Sequence, residues 1–437
     1  MREIDLANAY IADYAACFED NRNQEKIEFE LETLLRQRIF GICLGYEDLN
    51  DHEELRKDPL FATMCGKDDP EGNDREHDRD RGSPLAGKST LNRIEYSTTD
   101  IGIPTRYKKI LYNEEAIDTF FIDKFIQGYG NKVPKWLTLD IDATDDPLHG
   151  NQQGKFFHGY YDCYCYLPLY IFCGDDLLCA KLKTSNLDPG NEALPQIKEV
   201  VQRFKEKWPE VQIIIRGDSG FCRDHIMSWI EEQEGVFYLF GLARNKRLCK
   251  RIQKELVKVK DVYGKTNKTN RIFKDFTYRT LQSWSRRRRV IGKAEYGSKG
   301  ENPRFIVTNL KKEHFEAREL YEEEYCARGD MENRIKEQQL FLFADRTSCA
   351  MMAANQLRLY FAAVAYVIMN ELRKQGLKET ELSNSQCSTI RLKLFKIGAV
   401  VTISVRRVVI NYSSSYPYQE LFCRVKENLR KAYPLLN

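Results

Sequence analysis

The chain has 437 residues, 42% hydrophobic and 30% charged, with a formal net charge of +3. That length accommodates two or three domains around a large core, and the composition is ordinary for a soluble globular protein. No apolar run reaches the ~18 residues of a membrane span, and the first residues lack the basic start and apolar block of a signal peptide, so a cytoplasmic location is expected.

Residues 1 to about 66 read as helical. Lys26 to Ile39 carries Ile27, Leu31, Leu34, Leu35 and Ile39 at helical spacing, and GICLGYEDLNDHEELRKDPLF continues as short helices broken at Gly45 and Pro59. The first 100 residues hold 24 acidic and 13 basic side chains, so no bulk-charge grip on a polyanion resides there. Lys67 to Pro84 is highly charged and poor in apolar residues, the pattern of a mobile loop. Gly82 to Ser89, GSPLAGKS, formally matches a phosphate-binding loop. The apolar strand such a loop needs is replaced by DREHDRDR and Pro84 opposes the cradle, so a helix start is the better reading.

From Lys135 the texture changes. WLTLDID is a strand ending in carboxylates, and the aromatic and β-branched run that follows contains a turn at Gly174-Asp175. A helix within 191–208, a buried strand EVQIIIRGD, a helix within 223–234 and a strand VFYLFGLA complete an α/β pattern with antiparallel strands at its start. The 13 cysteines are scattered, without a Cys-x-x-Cys pair, and read as small core residues rather than a disulfide or zinc framework.

Between Arg244 and Arg304 stand 20 Lys and Arg against 5 Asp and Glu, whereas the rest of the chain has 48 basic and 60 acidic residues. A block this basic in an otherwise acidic protein points to nucleic acid as partner. Its strand-like pieces RIFKDFTYRTL and RRRRVIGKAEY mark a β-rich insertion. PRFIVTNL returns to an apolar strand, Tyr325 to Asp345 is helix-compatible, Ser348 to Lys374 is a buried apolar helix, and Thr389 to Asn437 closes with strand-like VVTISVRRVVI and a helix from Tyr418 to Lys431.

Tyr325, Arg328 and Glu332 recur at i, i+3 and i+7 and project from one helix face; Ala327, Met331, Ile335, Leu340 and Leu342 offer another to the core. Glu332 is thus a candidate active-site carboxylate, with partners at Asp140, Asp142 and Asp218. Carboxylates at strand ends, joined by one from a helix, suit divalent ions and phosphoryl transfer: Mg2+, with Mn2+ as a substitute. Blander roles stand beside this one. Asp218 suits a helix or turn cap, Glu332 a pair with Lys336, and either Asp140 or Asp142 could be the ligand; Asp-x-Asp also serves metal-dependent sugar transferases. His149 and His158 are weaker ligand candidates.

Together, LTLDIDATDDPLHG, IIIRGDSGF, YCARGDMENRIKEQQ and the N-terminal QRIFGICLGYEDLNDHEELRKDP resemble the DDE transposases of bacterial insertion sequences, in the branch with a Tyr-Arg-Glu-Lys signature. The resemblance implies a ribonuclease-H-like mixed sheet with flanking helices and a helical N-terminal region. The core would comprise 131–246 and 304–375, interrupted by the insertion at 247–303, with 1–130 as a DNA-binding or accessory region and 376–437 as a C-terminal region. It favours Asp142 over Asp140 and assigns metal binding to Asp142, Asp218 and Glu332. The signature Lys falls on Gln339, with Lys336 as a nearby substitute. Tyr325, Arg328 and Lys336 would contact DNA, Arg286, Arg287, Arg288 and Arg289 would hold its backbone, and Trp284 would stack on an unpaired base. Implied partners are double-stranded DNA and a second copy of the chain. The alternative is a DNA-binding protein of the same descent without catalysis.

Overall fold

The computed structural model describes residues 1–99, 109–404 and 407–434. Its centre is a nine-stranded sheet built from β1 (Trp136–Ala143), β2 (Leu169–Cys173), β3 (Asp176–Lys181), β4 (Gln212–Gly217), β5 (Val236–Leu242), β6 (Asn270–Tyr278), β7 (Arg288–Gly297), β8 (Arg304–Thr308) and the short Gly300–Glu301 strand beside β7. The strand order is β6-β7-β8-β5-β4-β1-β2-β3. β3, β2 and β1 are antiparallel neighbours, whereas β1, β4 and β5 run parallel. A mixed sheet of this kind with flanking helices is the fold class that the resemblance implied. β2 and β3 turn at Gly174-Asp175, where Gly174 has a φ of 60° that a side chain would resist.

Alternation decides which face each strand residue takes. Leu137, Leu139 and Ile141 of β1, with Ile213 and Ile215 of β4, meet α1 (Glu114–Tyr129), α2 (Pro189–Lys207) and α3 (Asp224–Glu231) in one buried cluster. The opposite face of β2 and β3 packs on α4 (Met352–Glu371), which also buries the N-terminal helix Leu31–Leu44. Met352–Gly376 is long and apolar enough to cross a membrane by length and composition, and 78% of its most apolar window is buried inside the protein. All 13 cysteines are free and most are buried, as small core residues should be.

Three local differences from the sequence reading have physical causes. Lys67 to Pro84 is irregular, but Arg75 is buried within it and bonds Glu28 and the carbonyls of Ser83 and Leu85. A single guanidinium thus anchors a segment with little apolar surface. The insertion opens with two helices, Lys246–Arg251 and Gln253–Thr266, because Leu248, Ile252, Leu256 and Val259 recur at helical spacing and join the core under the sheet. Its β6–β7 hairpin extends the main sheet through β8 instead of forming a separate one. Among the core positions expected on the Glu332 helix, Met331, Ile335 and Leu342 are buried, while Leu340 is 64% exposed and Ala327 is exposed.

Among the described residues the chain leading directly into the Lys88–Glu95 helix holds only a 3-10 turn, Asp78–Asp80, and no strand, consistent with a plain helix start at GSPLAGKS. The C-terminal run forms a hairpin, Ala399–Ser404 with Arg407–Tyr412, then a helix Gln419–Ala432; Val405 and Arg406 lie outside the described residues, as does 100–108 of the N-terminal region.

Candidate active site

β1 and β4 pair in parallel with Asp140 opposite Arg216 and Ile141 opposite Gly217. Asp142 and Asp218 are therefore the next residues across, leaving adjacent strands at the same end of the sheet; neighbouring strands lie about 4.8 Å apart. The chain approaching this end from the other side is not a plain α-helix. A wide π-turn at Leu320–Tyr325 and a tight 3-10 turn at Cys326–Arg328 lead into the α-helix Gly329–Leu342. Such irregular turns are common at functional sites.

Arg328 closes the constellation. Its Nη1 lies 3.2 Å from Asp142 Oδ2 and its Nη2 lies 3.3 Å from Glu332 Oε1. Burial pushes Asp142 up to about 6; Arg328 opposes the shift, while Asp218 and Glu332 add to it. Burial works against the Arg328 charge, yet Asp142, Tyr325, Asp218 and Glu332 outweigh it and hold the guanidinium above its ordinary value. Asp218 Oδ1 accepts the Gly220 N–H at 2.7 Å, so the turn-capping role exists alongside its place in the cluster.

Tyr325 reaches inward from the π-turn. Its ring packs on Tyr321, and a Cβ at Gly241 of β5 would come within 2.6 Å of its hydroxyl. A glycine in a central strand is thus explained by the close approach of Tyr325.

Asp140, the alternate ligand, does other work. It is 3% exposed and forms a two-pronged pair with Arg216, Nε to Oδ1 at 2.5 Å and Nη2 to Oδ2 at 2.8 Å. Arg216 also donates to the Glu324 carbonyl, tying the π-turn to the sheet. Sequence reasoning missed this anchor, because only the register of β1 against β4 reveals it.

Arg328 thus contacts Asp142 and Glu332 and feels the charge of Asp218, but among the described residues no three His, Cys, Asp or Glu are drawn close enough to hold a metal ion. Their chemistry fits a hard divalent cation all the same. All three offer oxygens, burial makes the charged form of Asp142 costly so that a neighbouring cation favours it, and Glu332 is half-exposed and, among the described residues, held by the Arg328 contact. His149 is exposed, and His158 packs on the Tyr161 ring instead. Lys336 is exposed and makes no ion pair among the described residues, whereas Gln339 points inward and donates to Asp146 Oδ1 at 2.9 Å and to the Asp145 carbonyl. Burial pushes Asp146 up to about 8.

The expected DNA contacts of the basic block need correction. Trp284 is 3% exposed, edge-on to Tyr278 and covered by the Arg288 guanidinium 5.5 Å away, so its face is closed to a base. Arg288 is buried and paired with Asp224 and Glu231, and Arg289 pairs with Asp275. Arg286 shares Glu231, leaving Arg287 as the exposed member without an ion pair among the described residues. A run of cations without ion pairs among the described residues lies on the two helices that open the insertion, where Arg247, Lys250, Arg251, Lys254, Lys258 and Lys260 are all exposed. β5 feeds the first of these helices from the sheet end that carries Asp142 and Asp218.

A sequence model of the transposase DDE domain, group 1, matches residues 1–434. The chain is also similar to a solved structure described as a piggyBac transposase synaptic complex with hairpin DNA, at 11% identity and a TM-score of 0.39, covering 100% of this chain and 85% of that one. No curated protein matches it.

Proposed function

The chain belongs to the transposase DDE domain family, group 1, and from that premise we propose that it cuts DNA strands at the ends of a bacterial insertion sequence and joins them to target DNA, using Asp142, Asp218 and Glu332 with Mg2+. The supporting observation is that Arg328 bonds Asp142 and Glu332 while Asp218, on the strand next to Asp142, adds its charge to the same cluster.

Divalent ions bound there would activate the attacking oxygen and stabilise the leaving one. The chain's own part is to place charge. Asp142 and Asp218 leave rigid neighbouring strands, so their separation is set by the sheet. Glu332 arrives on a helix tied to that sheet through Arg216 and Asp140. A cation held by the carboxylates would compete with Arg328 for their oxygens and leave its planar guanidinium, well matched to phosphate, able to donate to a phosphate oxygen. Duplex DNA lies along the exposed cations of Lys246–Arg251 and Gln253–Thr266 at the rim of the sheet. Two copies of the chain would hold the two ends together.

The test is incubation of the protein with duplex DNA carrying the ends of the element that encodes it, in Mg2+ or Mn2+, followed by mapping of new 3′-hydroxyl ends. Asp218→Ala should abolish cutting and keep DNA binding. Cutting that survives this substitution removes Asp218 from the chemistry, and metal-independent binding without cutting by the unaltered protein would support the non-catalytic DNA-binding reading.

A further inference from the structure

The chain between β1 and β2 builds a small sheet of its own, from Asp146–Pro147, Phe156–His158 and Cys163–Tyr166. It is rooted at the active site: Asp146 pairs with Tyr166 only a few residues beyond Asp142, and Ala143 at the end of β1 faces Leu169 at the start of β2. From that root a hairpin projects, with Phe157 opposite Tyr164 and the turn at Gly159 to Asp162.

This hairpin displays rings. Tyr160 is 85% exposed, Phe157 53%, Tyr164 48% and Phe156 42%. The stretch Phe156 to Tyr164, FFHGYYDCY, contains no Leu, Ile, Val or Met. The rings support one another: Tyr160 stands edge-on to Tyr161 at 5.0 Å, His158 lies 5.0 Å from Tyr161, and Phe157 meets Tyr164 edge-on at 5.5 Å. Lys155 Nζ sits 4.5 Å from the Tyr164 ring centre. Tyr161 also feels the site electrostatically: burial, then Asp145, Asp142, Tyr160 and Asp218, push its phenol up to about 12.

Large exposed aromatic patches on a folded protein mark recognition sites. Flat rings with polar rims and an adjacent ammonium, without aliphatic anchors, are the composition that receives nucleobases, whose π-faces stack whatever the sequence, while a cation meets the phosphate. We infer that the turn bearing Tyr160 and Tyr161, buttressed by His158, Phe157 and Tyr164, is a stacking site for an unpaired nucleobase of the DNA strand held at the carboxylates. Trp284, the ring expected in that role, is closed off in the core. The inference relies on the transposase reading for the nature of the polymer and for its path past the carboxylates.

The experiment compares binding, in EDTA, of a blunt fluorescent duplex and the same duplex with a four-nucleotide single-stranded overhang. The unaltered protein should bind the overhang duplex about tenfold more tightly, the scale of one stacked base. The double variant Tyr160→Ala/Tyr161→Ala should lose that preference and leave blunt-duplex binding unchanged; Tyr160→Phe/Tyr161→Phe should keep it and serves as the folding control. Equal binding of the two duplexes by the unaltered protein, or a preference that survives in the alanine variant, overturns the inference. So does a dimer that the alanine variant dissociates in sedimentation, which would make the rings a contact between copies. Cutting is silent in EDTA, so a chain that shows the preference but never cuts would refute the catalytic reading and leave this one standing.

Discussion

Arg328 holds Asp142 and Glu332 together, one guanidinium nitrogen 3.2 Å from the first carboxylate and the other 3.3 Å from the second. The same side chain would therefore compete with a metal ion for these oxygens and would be set free if one bound. Arg328→Ala should retain Mn2+ binding, measured by electron paramagnetic resonance or calorimetry, at equal or greater affinity. Strand cutting should fall by about 100-fold, as when one preorganised donor is removed from a charged transition state. Loss of Mn2+ binding in this variant would show that the arginine builds the site and does not compete for it.

Asp142 makes a prediction in pH. Burial lifts it from an ordinary value of 3.8 to about 6 in the folded chain. Between those values the folded protein holds a proton that the unfolded chain has released, so stability falls as pH rises through this window. Asp142→Asn removes the titrating group and should raise the melting temperature at pH 7.5 while changing it little at pH 4. At ~1.4 kcal/mol for each pH step across that window, the gain is of order 2–3 kcal/mol. A gain of the same size at both pH values would mean that the charge is not what burial penalises.

Much of this architecture was legible because alternation and helical spacing are local. WLTLDID announced both β1 and the carboxylates at its end, and the spacing of Arg328 and Glu332 announced the neighbourhood of their side chains. The illegible parts depend on partners far away in the chain. Asp140 and Asp142 share a strand face, and only Arg216, placed opposite Asp140 by strand register, occupies one and leaves the other. The run Arg286 to Arg289 looked like a DNA grip because its acidic partners, Asp224 and Glu231, stand in a helix some 60 residues earlier. Leu248, Ile252, Leu256 and Val259 did carry a helical period, hidden among lysines in a block whose later half is strand.

The redistribution of charge within the basic block is open to a salt titration. Each phosphate contact contributes about 0.9 to the slope of log affinity against log salt on duplex DNA. Lys250→Gln/Arg251→Gln/Lys254→Gln/Lys258→Gln should weaken binding and flatten that slope by about 2–4, without a large change in melting temperature, since these side chains are exposed and make no ion pair among the described residues. Arg288→Gln should do the reverse, lowering stability through its buried pairs with Asp224 and Glu231 and leaving the slope intact. A slope that responds to Arg288 and ignores the helices would move the DNA back to the hairpin.

The seat of Tyr325 can be tested through the strand it rests on. A Cβ at Gly241 would stand 2.6 Å from the Tyr325 hydroxyl and 3.0 Å from the Ser219 amide nitrogen, inside the distance at which atoms must move. Gly241→Ala should therefore cost about 1–3 kcal/mol, the usual range for overpacking. It should also impair cutting, because the displaced tyrosine belongs to the turn that delivers Arg328 and Glu332. Adding Tyr325→Phe removes the nearest clashing atom, so the double variant should regain part of the lost melting temperature; the remaining deficit reports the contact with the Ser219 backbone. If Gly241→Ala alone is as stable as the unaltered chain, or the second substitution restores nothing, Tyr325 does not occupy this seat in solution and its link to Asp218 across β4 and β5 fails with it.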